Sequence, residues 1–471
     1  MAQEEDPCEG DPTDIILISV ASNGTPGDGS SGGPSISYCG DKIFFTSSSN
    51  NLSPDDLDFN SNLFVHDAQS GETSLVIQAG SFPSTSADGR YVAFESSASL
   101  VPLDTNDVGD VFVTDTQTGE TKRVSVASNG TETDEWSLLP SISADGRKVA
   151  FMSVATNLGS SEFYYILFQE VFVHDTETRE TKQVSAAEDG TDSNGNNWNP
   201  DISADGRWVA FSSSATNLEN AFPDINWDVY VKNLETGAIE LVSKSTMNAR
   251  GDDDSMDPSI SSDGRFIAFE TDAQSLQFDE LPYTKLDRNG FRDIYVHDRQ
   301  SGETNRVSIA SDLTEGDGDS TDASISADGR YVAFKSEATN LVASDTNGLW
   351  DIFVHDRWTG QTKRANVAAD GTEAKSEFGT GLNTTSSISG DGRYVTFSSI
   401  ATNLVAVDIG GNNQIFRAPN PFLPSTPVDP RDPSDIFVWS GDEDDGKWET
   451  AGNWDDAFTN GPVNMAPGDP D

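Results

Sequence analysis

The chain has 471 residues, and 79 acidic against 28 basic side chains give it a formal net charge of −51. Such a surface repels a phosphate backbone, which excludes nucleic acid as a partner. A hydrophobic fraction of 35% with 9% aromatics exceeds what an acidic disordered chain carries and permits a packed core, while no run approaches the ~18 apolar residues of a membrane-spanning helix, so no membrane insertion is expected.

In chain order, Met1-Ala2-Gln3-Glu4-Glu5-Asp6 has neither a basic nor an apolar stretch and reads as a mature N-terminus exposed by signal cleavage, with a start Met added. Residues 1–13 are expected to form a tail, and the protein to be secreted, extracellular or at the cell surface, with the periplasm as the alternative. The first strand-like segment spans residues 15–20. After it a phrase begins to return, in its fullest form Ser-Ile-Ser-Ala-Asp-Gly-Arg-Tyr-Val-Ala-Phe at residues 324–334. Its glycine recurs at Gly40, Gly89, Gly146, Gly206, Gly264, Gly329 and Gly392, at spacings of 49 to 65 residues.

Each copy holds four short segments rich in β-branched and aromatic residues, in the sixth copy 323–326, 331–334, 351–355 and 362–367. Asp328-Gly329 and Thr359-Gly360 between them are tight-turn dipeptides that reverse the chain, so each copy predicts an antiparallel four-stranded sheet. Sheets repeated at this spacing predict a β-propeller, whose radial packing leaves few open edges. The seventh copy stops after residues 414–417 without a fourth strand, whereas residues 15–25 match the fourth-strand ending of the second copy, Val20-Ala21-Ser22-Asn23-Gly24-Thr25 against Val126-Ala127-Ser128-Asn129-Gly130-Thr131. The expected fold is therefore all-β, a seven-bladed β-propeller over residues 14–418 in which the N-terminal strand closes the last blade.

The repeated phrase resembles the TolB-type propeller repeat, a Ser-x-Asp-Gly-Arg/Lys followed by an aliphatic-aromatic strand. Six of the seven copies keep Asp-Gly-Arg, and the first departs with Cys39-Gly40-Asp41. The resemblance implies a secreted or periplasmic scaffold that binds other macromolecules, and it implies no reaction.

Strand order places the Asp-Gly-Arg and Thr-Gly turns on one even face and the long connections, 131–139, 187–199, 245–257, 310–322 and 369–386, on the other, where a binding surface is expected. Cys8 and Cys39 both fall on the even face, so a disulfide between them is expected to clip the ring, stabilising it by roughly 3–4 kcal/mol in an oxidising compartment.

Ahead of four third strands stands an acidic pattern: Asp56, Asp58 and Asn62; Asp104, Asn106 and Asp110; Asp287, Asn289 and Asp293; Asp345, Asn347 and Asp351. Oxygens so spaced on a tight loop can converge on calcium, the one cofactor expected; the same residues also cap turns through their own backbone. The four histidines, His66, His174, His297 and His355, occupy one equivalent position per blade and cannot meet, which makes them structural. No Gly-x-Ser-x-Gly elbow at a strand-to-helix turn is expected to present a nucleophile. Trp136, Trp198, Trp227 and Trp350 are candidates for stacking on sugar rings or anchoring a protein, with sealing between blades as the alternative. Arg250-Gly251-Asp252 is read as a chance match.

Beyond residue 418 a proline-rich linker is expected over 419–434, and residues 435–471, with Trp439-Ser440-Gly441, Trp448 and Asn453-Trp454, resemble the opening of repeat modules in bacterial surface and autotransporter-like proteins. The sequence reading is a non-catalytic binding or assembly scaffold for a protein or polysaccharide, not an enzyme. Its alternatives are a carbohydrate- or lactone-active enzyme using carboxylates at the central channel, and a self-assembling surface-layer or filament component.

Overall fold

The second strand of each repeat, such as Tyr331–Ser336, carries apolar residues on both sides because both of its faces meet a neighbouring sheet. In the computed structural model, which describes Cys8, residues 14–56, 60–158, 168–219, 226–276, 287–375 and 385–423 and two short strands beyond, the repeats form seven four-stranded antiparallel sheets. Blades 1 to 6 each take their strands in sequence order, starting at Ser31–Ile36, Ser81–Thr85, Ser137–Ile142, Asn197–Ile202, Ser255–Ile260 and Ser320–Ile325. Blade 7 is completed by Ile16–Leu17, which pairs with Gln414–Pro419 in the register Ile16↔Arg417 and Leu17↔Phe416. The all-β seven-bladed propeller expected from the repeats is therefore the architecture, with the closing strand supplied by the N-terminus.

Every blade carries one cross-strand aromatic pair between its second and third strands, for instance Phe334 and Phe353 with ring centroids 5.9 Å apart. The cores lie between blades: Ala268, Ile294 and Val296 of blade 5 pack against Val332 and Phe334 of blade 6. A blade thus buries both faces and has no core of its own.

The repeated Ser-x-Asp-Gly-Arg phrase builds the even face. Ser326 Oγ donates to Asp328 Oδ1 at 2.7 Å and accepts from the amide of Tyr331 at 3.0 Å, which fixes the turn. Gly329 adopts φ +72°, and a Cβ there would stand 2.1 Å from the ring of Phe266 in the preceding blade, so the turn admits only glycine. Arg330 then grips Asp356, at the third-to-fourth strand turn, through two hydrogen bonds of 3.0 and 2.8 Å. A closed circuit of backbone hydrogen bonds runs blade to blade beneath these turns, from Tyr38 to Ala87, Ala87 to Ala144 and onward to Asp391, which donates back to Tyr38.

Cys8 and Cys39 are joined in a disulfide with Cα atoms 5.1 Å apart. The four histidines are buried, and each Nδ1 meets a threonine of its own outer strand, as His355 meets Thr362 at 2.9 Å. That threonine hydroxyl donates to a carbonyl of the preceding blade, Ile309 for Thr362, so the imidazole must be the donor to it. Burial holds all four imidazoles down at about 4.

The ring extends slightly past the expected boundary at 418. The last strand runs to Pro419, and Phe422 stacks on Tyr331 at 6.1 Å, so the compact unit ends at Leu423. In the second unit, Phe437–Trp439 pairs with Trp448–Thr450. The rest of the linker and of the surface-protein resemblance lies outside the described residues.

Candidate functional site

The first strand of each blade lines the ring axis, and in blades 1 to 6 its pairing register breaks at a bulge. The residue at the break stands seven positions before the motif glycine and has positive φ: Gly33 (58°), Phe82 (50°), Leu139 (55°), Asn199 (45°), Asp257 (53°) and Asp322 (61°). Five of these six are not glycine, although a left-handed conformation costs an L-residue about 1–2 kcal/mol. The break turns these residues towards the axis, where they line a cavity of about 590 Å³, a volume typical of ligand sites. Inner strands start at the long-loop face, so the bulges lie in the half of the axis nearer those loops.

The cavity wall is divided. Blades 2 and 3 contribute Phe82, 58% exposed, and Leu139, whereas blades 4 to 6 contribute Asn199, Asp201, Asp257, Glu270, Asp322 and Lys335. Glu270, the fifth residue of its second strand and 4% exposed, is the chemical centre. Burial, and after it the neighbouring Asp257 carboxylate, pushes its carboxyl up to about 8 against the pull of Arg292, whose Nη1 lies 3.0 Å away. Glu270 thus favours its protonated form, and it is hydrogen-bonded to Asp257, which also accepts from Asn199 Nδ2. Asp322 is pushed up to about 6, chiefly by burial with Lys335 opposing, and burial raises Asp201, which accepts from Ile260 N at 2.8 Å and Ser141 Oγ at 2.7 Å. Carboxyls perturbed by burial and by one another in a cavity, held on strained backbone, are a signature of a working site.

The loops proposed for calcium are organised otherwise. Arg123, from a fourth strand, sits among Asp104 (3.3 Å), Asp110 (3.2 Å) and Glu132 (2.9 Å). Arg306 does the same with Asp287, Asp293 and Glu315, and Arg364 with Asp345, Asp351 and Glu373. Asn106, Asn289 and Asn347 turn their amide NH2 to the same aspartates. A guanidinium therefore occupies the place those oxygens would offer an ion, and among the described residues no three His, Cys, Asp or Glu converge as a metal requires. In blade 1, Asn62 donates to Asp56 at 2.9 Å, and Asp58 lies outside the described residues. Burial, with Asp293 and Asp351 adding to it, still pushes Asp287 and Asp345 up to about 6.

The four tryptophans are half-buried and apart. Trp198 lies on the inner strand of blade 4, Trp136 just before that of blade 3, and the backbone of Trp227 donates to Asp254. Only Trp350 is tied to the cavity, through Lys335, whose Nζ stands 5.2 Å above its ring. The residues that line the cavity were not among the sequence candidates. The signal available was position: counting back seven from the first six motif glycines gives Gly, Phe, Leu, Asn, Asp, Asp.

No protein-family model and no curated protein matches the chain. Solved structures do. The β-propeller domain of the Trilobed protease from Pyrococcus furiosus matches at 14% identity and TM-score 0.50, over 83% of this chain and 95% of that one; it is described as having an open velcro topology, unlike the strand-closed ring here. An oligogalacturonate lyase in complex with manganese matches at 14% identity and TM-score 0.51, over 87% and 93%. TolB from Acinetobacter baumannii matches at 16% identity and TM-score 0.40, over 76% of each chain. The first two likenesses agree with the propeller fold of the ring. They also correct the expectation that the chain is not an enzyme: a lyase covers nearly the whole ring, so the architecture gives no ground for excluding catalysis. That expectation leaned on the lack of a serine elbow; Gly29-Ser30-Ser31-Gly32-Gly33 does spell the motif, but Ser31 is buried at the start of an inner strand with its Oγ 2.8 Å from Ser47 Oγ, which excludes one chemistry only.

Proposed function

We propose that the protein binds a hydroxyl- or amine-bearing ligand with one apolar face, such as the end of a saccharide chain, in the axial cavity, and that Glu270 and Asp257 form its proton-exchanging pair. The single observation behind this reading is the pair itself, two carboxyls in hydrogen-bond contact inside a cavity of ligand size, with Glu270 pushed up by burial and by its partner. Such a pair offers a donor and an acceptor at one point, which suits general acid–base chemistry. It differs from a glycosidase pair, whose carboxyls stand about 5–10 Å apart to admit a sugar bond or a water between them. The acidic arc of blades 4 to 6 would repel a polyuronate, so the substrate of the lyase that shares the fold is a poor fit. The disulfide and the strongly acidic surface support an exported protein, and the long-loop face is where a polysaccharide or protein carrying the ligand would approach.

The test is calorimetric titration with neutral, amine-bearing and uronic oligosaccharides, with product analysis of each mixture. Binding of the first two classes, lost in Glu270→Gln and Asp257→Asn, is expected. Equal binding of the uronic series, or binding indifferent to both substitutions, would sink the reading.

A further inference from the structure

Each blade begins its third strand with one polar residue, in order Asn62, Asp110, Glu170, Asp228, Asp293, Asp351 and Gln414, and all but Glu170 are at most 1% exposed. Charge at this position is balanced blade by blade. The four aspartates each meet an arginine: Asp110 meets Arg123, Asp228 meets Arg250, Asp293 meets Arg306 and Asp351 meets Arg364. The two amides, Asn62 and Gln414, need no cation.

Blade 3 alone departs from this rule. Gln183 stands opposite Phe172 as Arg123 stands opposite Phe112, and Asp192 stands opposite Ala186 as Arg250 stands opposite Lys244. Both positions that supply a guanidinium elsewhere are without charge or negative here, and residues 159–167 contain neither Lys nor Arg. Glu170 is instead surrounded by oxygens and amides. Ser185 Oγ donates to Oε2, and Ser193 Oγ lies 2.9 and 3.0 Å from the two carboxylate oxygens and 3.1 Å from the carbonyl of Gly195.

A second departure falls at the same place. The inner strands of blades 1, 3, 5 and 6 begin with serine, while that of blade 4 begins with Asn197, 0% exposed. Its Nδ2, with two protons, faces four acceptors: Glu170 Oε2 at 3.0 Å, the Gln169 carbonyl at 3.0 Å, Ser193 Oγ at 2.7 Å and the Gly195 carbonyl at 3.1 Å. Its Oδ1 has no hydrogen-bond partner among the described residues. One amide orientation strands a buried oxygen, and the other turns that oxygen onto four more. A cation at this point resolves the conflict, because the flipped amide then contributes a ligand.

We propose that the junction of blades 3 and 4 binds one monovalent cation, sodium, through the Glu170 carboxylate, Ser193 Oγ, Asn197 Oδ1 and the carbonyls of Gln169 and Gly195, in place of the guanidinium of the other blades. One carboxylate among neutral oxygens matches a single positive charge. Oxygens set about 3 Å apart suit an ion with contacts near 2.4 Å, as hard cations of this size make.

The experiment is thermal unfolding of the full chain in sodium chloride and in choline chloride at equal ionic strength, with a third arm in calcium chloride. The wild type is expected to unfold several degrees higher in sodium, with a saturable dependence on its concentration, as linkage requires. Gln183→Arg, which restores the guanidinium, and Glu170→Gln, which copies the amides of blades 1 and 7, are both expected to lose that difference. Either variant suffices should the other fail to fold. Identical behaviour in sodium and choline, or a sodium effect that survives in a folded variant, overturns the site. A calcium effect that exceeds sodium's and vanishes in Glu170→Gln overturns the assignment to a monovalent ion.

Discussion

The two ends of the ring axis are built from the same strands and behave in opposite ways. At the turn end six of seven blades repeat Asp-Gly-Arg, and all six repeat the serine-to-aspartate bond seen from Ser326 to Asp328, while the grip of Arg330 on Asp356 returns in blades 2, 3 and 5. At the bulge end the backbone repeats but the side chains do not, running from Gly33 through Phe82 and Leu139 to Asn199, Asp257 and Asp322. Sameness marks what all blades must do to pack, and difference at an equivalent, strained position marks what only the whole ring does.

The contrast can be broken at the turn end first. Gly329→Val puts a branched side chain into the Phe266 ring at positive φ, and a loss on the order of 3–5 kcal/mol in denaturant unfolding is expected. Removing the seam disulfide with Cys39→Ser should lower stability by about 3 kcal/mol under oxidising conditions and by nothing under reducing ones, measured the same way.

At the bulge end the effects change with pH. Glu270 holds its proton up to about 8 in the folded ring, against an ordinary value of 4.5, so the wild type loses stability as pH rises between these limits. Glu270→Gln removes that loss. The variant should match or trail the wild type at pH 4 and gain on it by at most about 1.4 kcal/mol per pH unit up to pH 8, then run parallel, a profile that midpoints at pH 4, 6, 8 and 9 would reveal.

The histidines carry the opposite sign. Their folded values, near 4, lie below the ordinary 6.5, so stability is full above pH 6.5 and falls as pH drops through that window. His355→Gln, which can still donate to Thr362, should reduce that slope by about one proton's worth, roughly 1.4 kcal/mol per pH unit at most, in acid-unfolding curves. The smallest effect expected is from Phe82→Gly, which relieves a left-handed backbone at a largely exposed side chain. Stability should hold or rise by about 1 kcal/mol while ligand binding weakens; a marked loss of stability would mean that Phe82 belongs to the frame and not to the site.

Most of the fold was legible because a repeated phrase states its own geometry. The Asp-Gly turns gave the strand count, and the match of residues 20–25 to 126–131 located the closing strand. The site was not legible for the same reason, since a search for repetition passes over Asp257 and Phe82 as noise between motifs. The acidic loops misled through distance along the chain. Asp104 and Asp110 look like an open cage until Arg123, thirteen residues beyond Asp110 on the next strand, is folded into it. Glu270 gave no sign either, because the burial and the neighbouring Asp257 carboxylate that raise its carboxyl come only with the fold.

The seam between blades 7 and 1 also bears on how the ring is made. Residues 16 and 17 must find a partner at 416 and 417, a closure across some 400 residues whose entropic cost grows with that length. Cys8 and Cys39 precede blades 2 to 7 and lie 31 residues apart, so their bond closes a far shorter loop than the seam does. It holds the closing strand beside blade 1, and when the last blade folds against that blade its missing strand is already waiting there. A search across the whole protein becomes a docking step between neighbours.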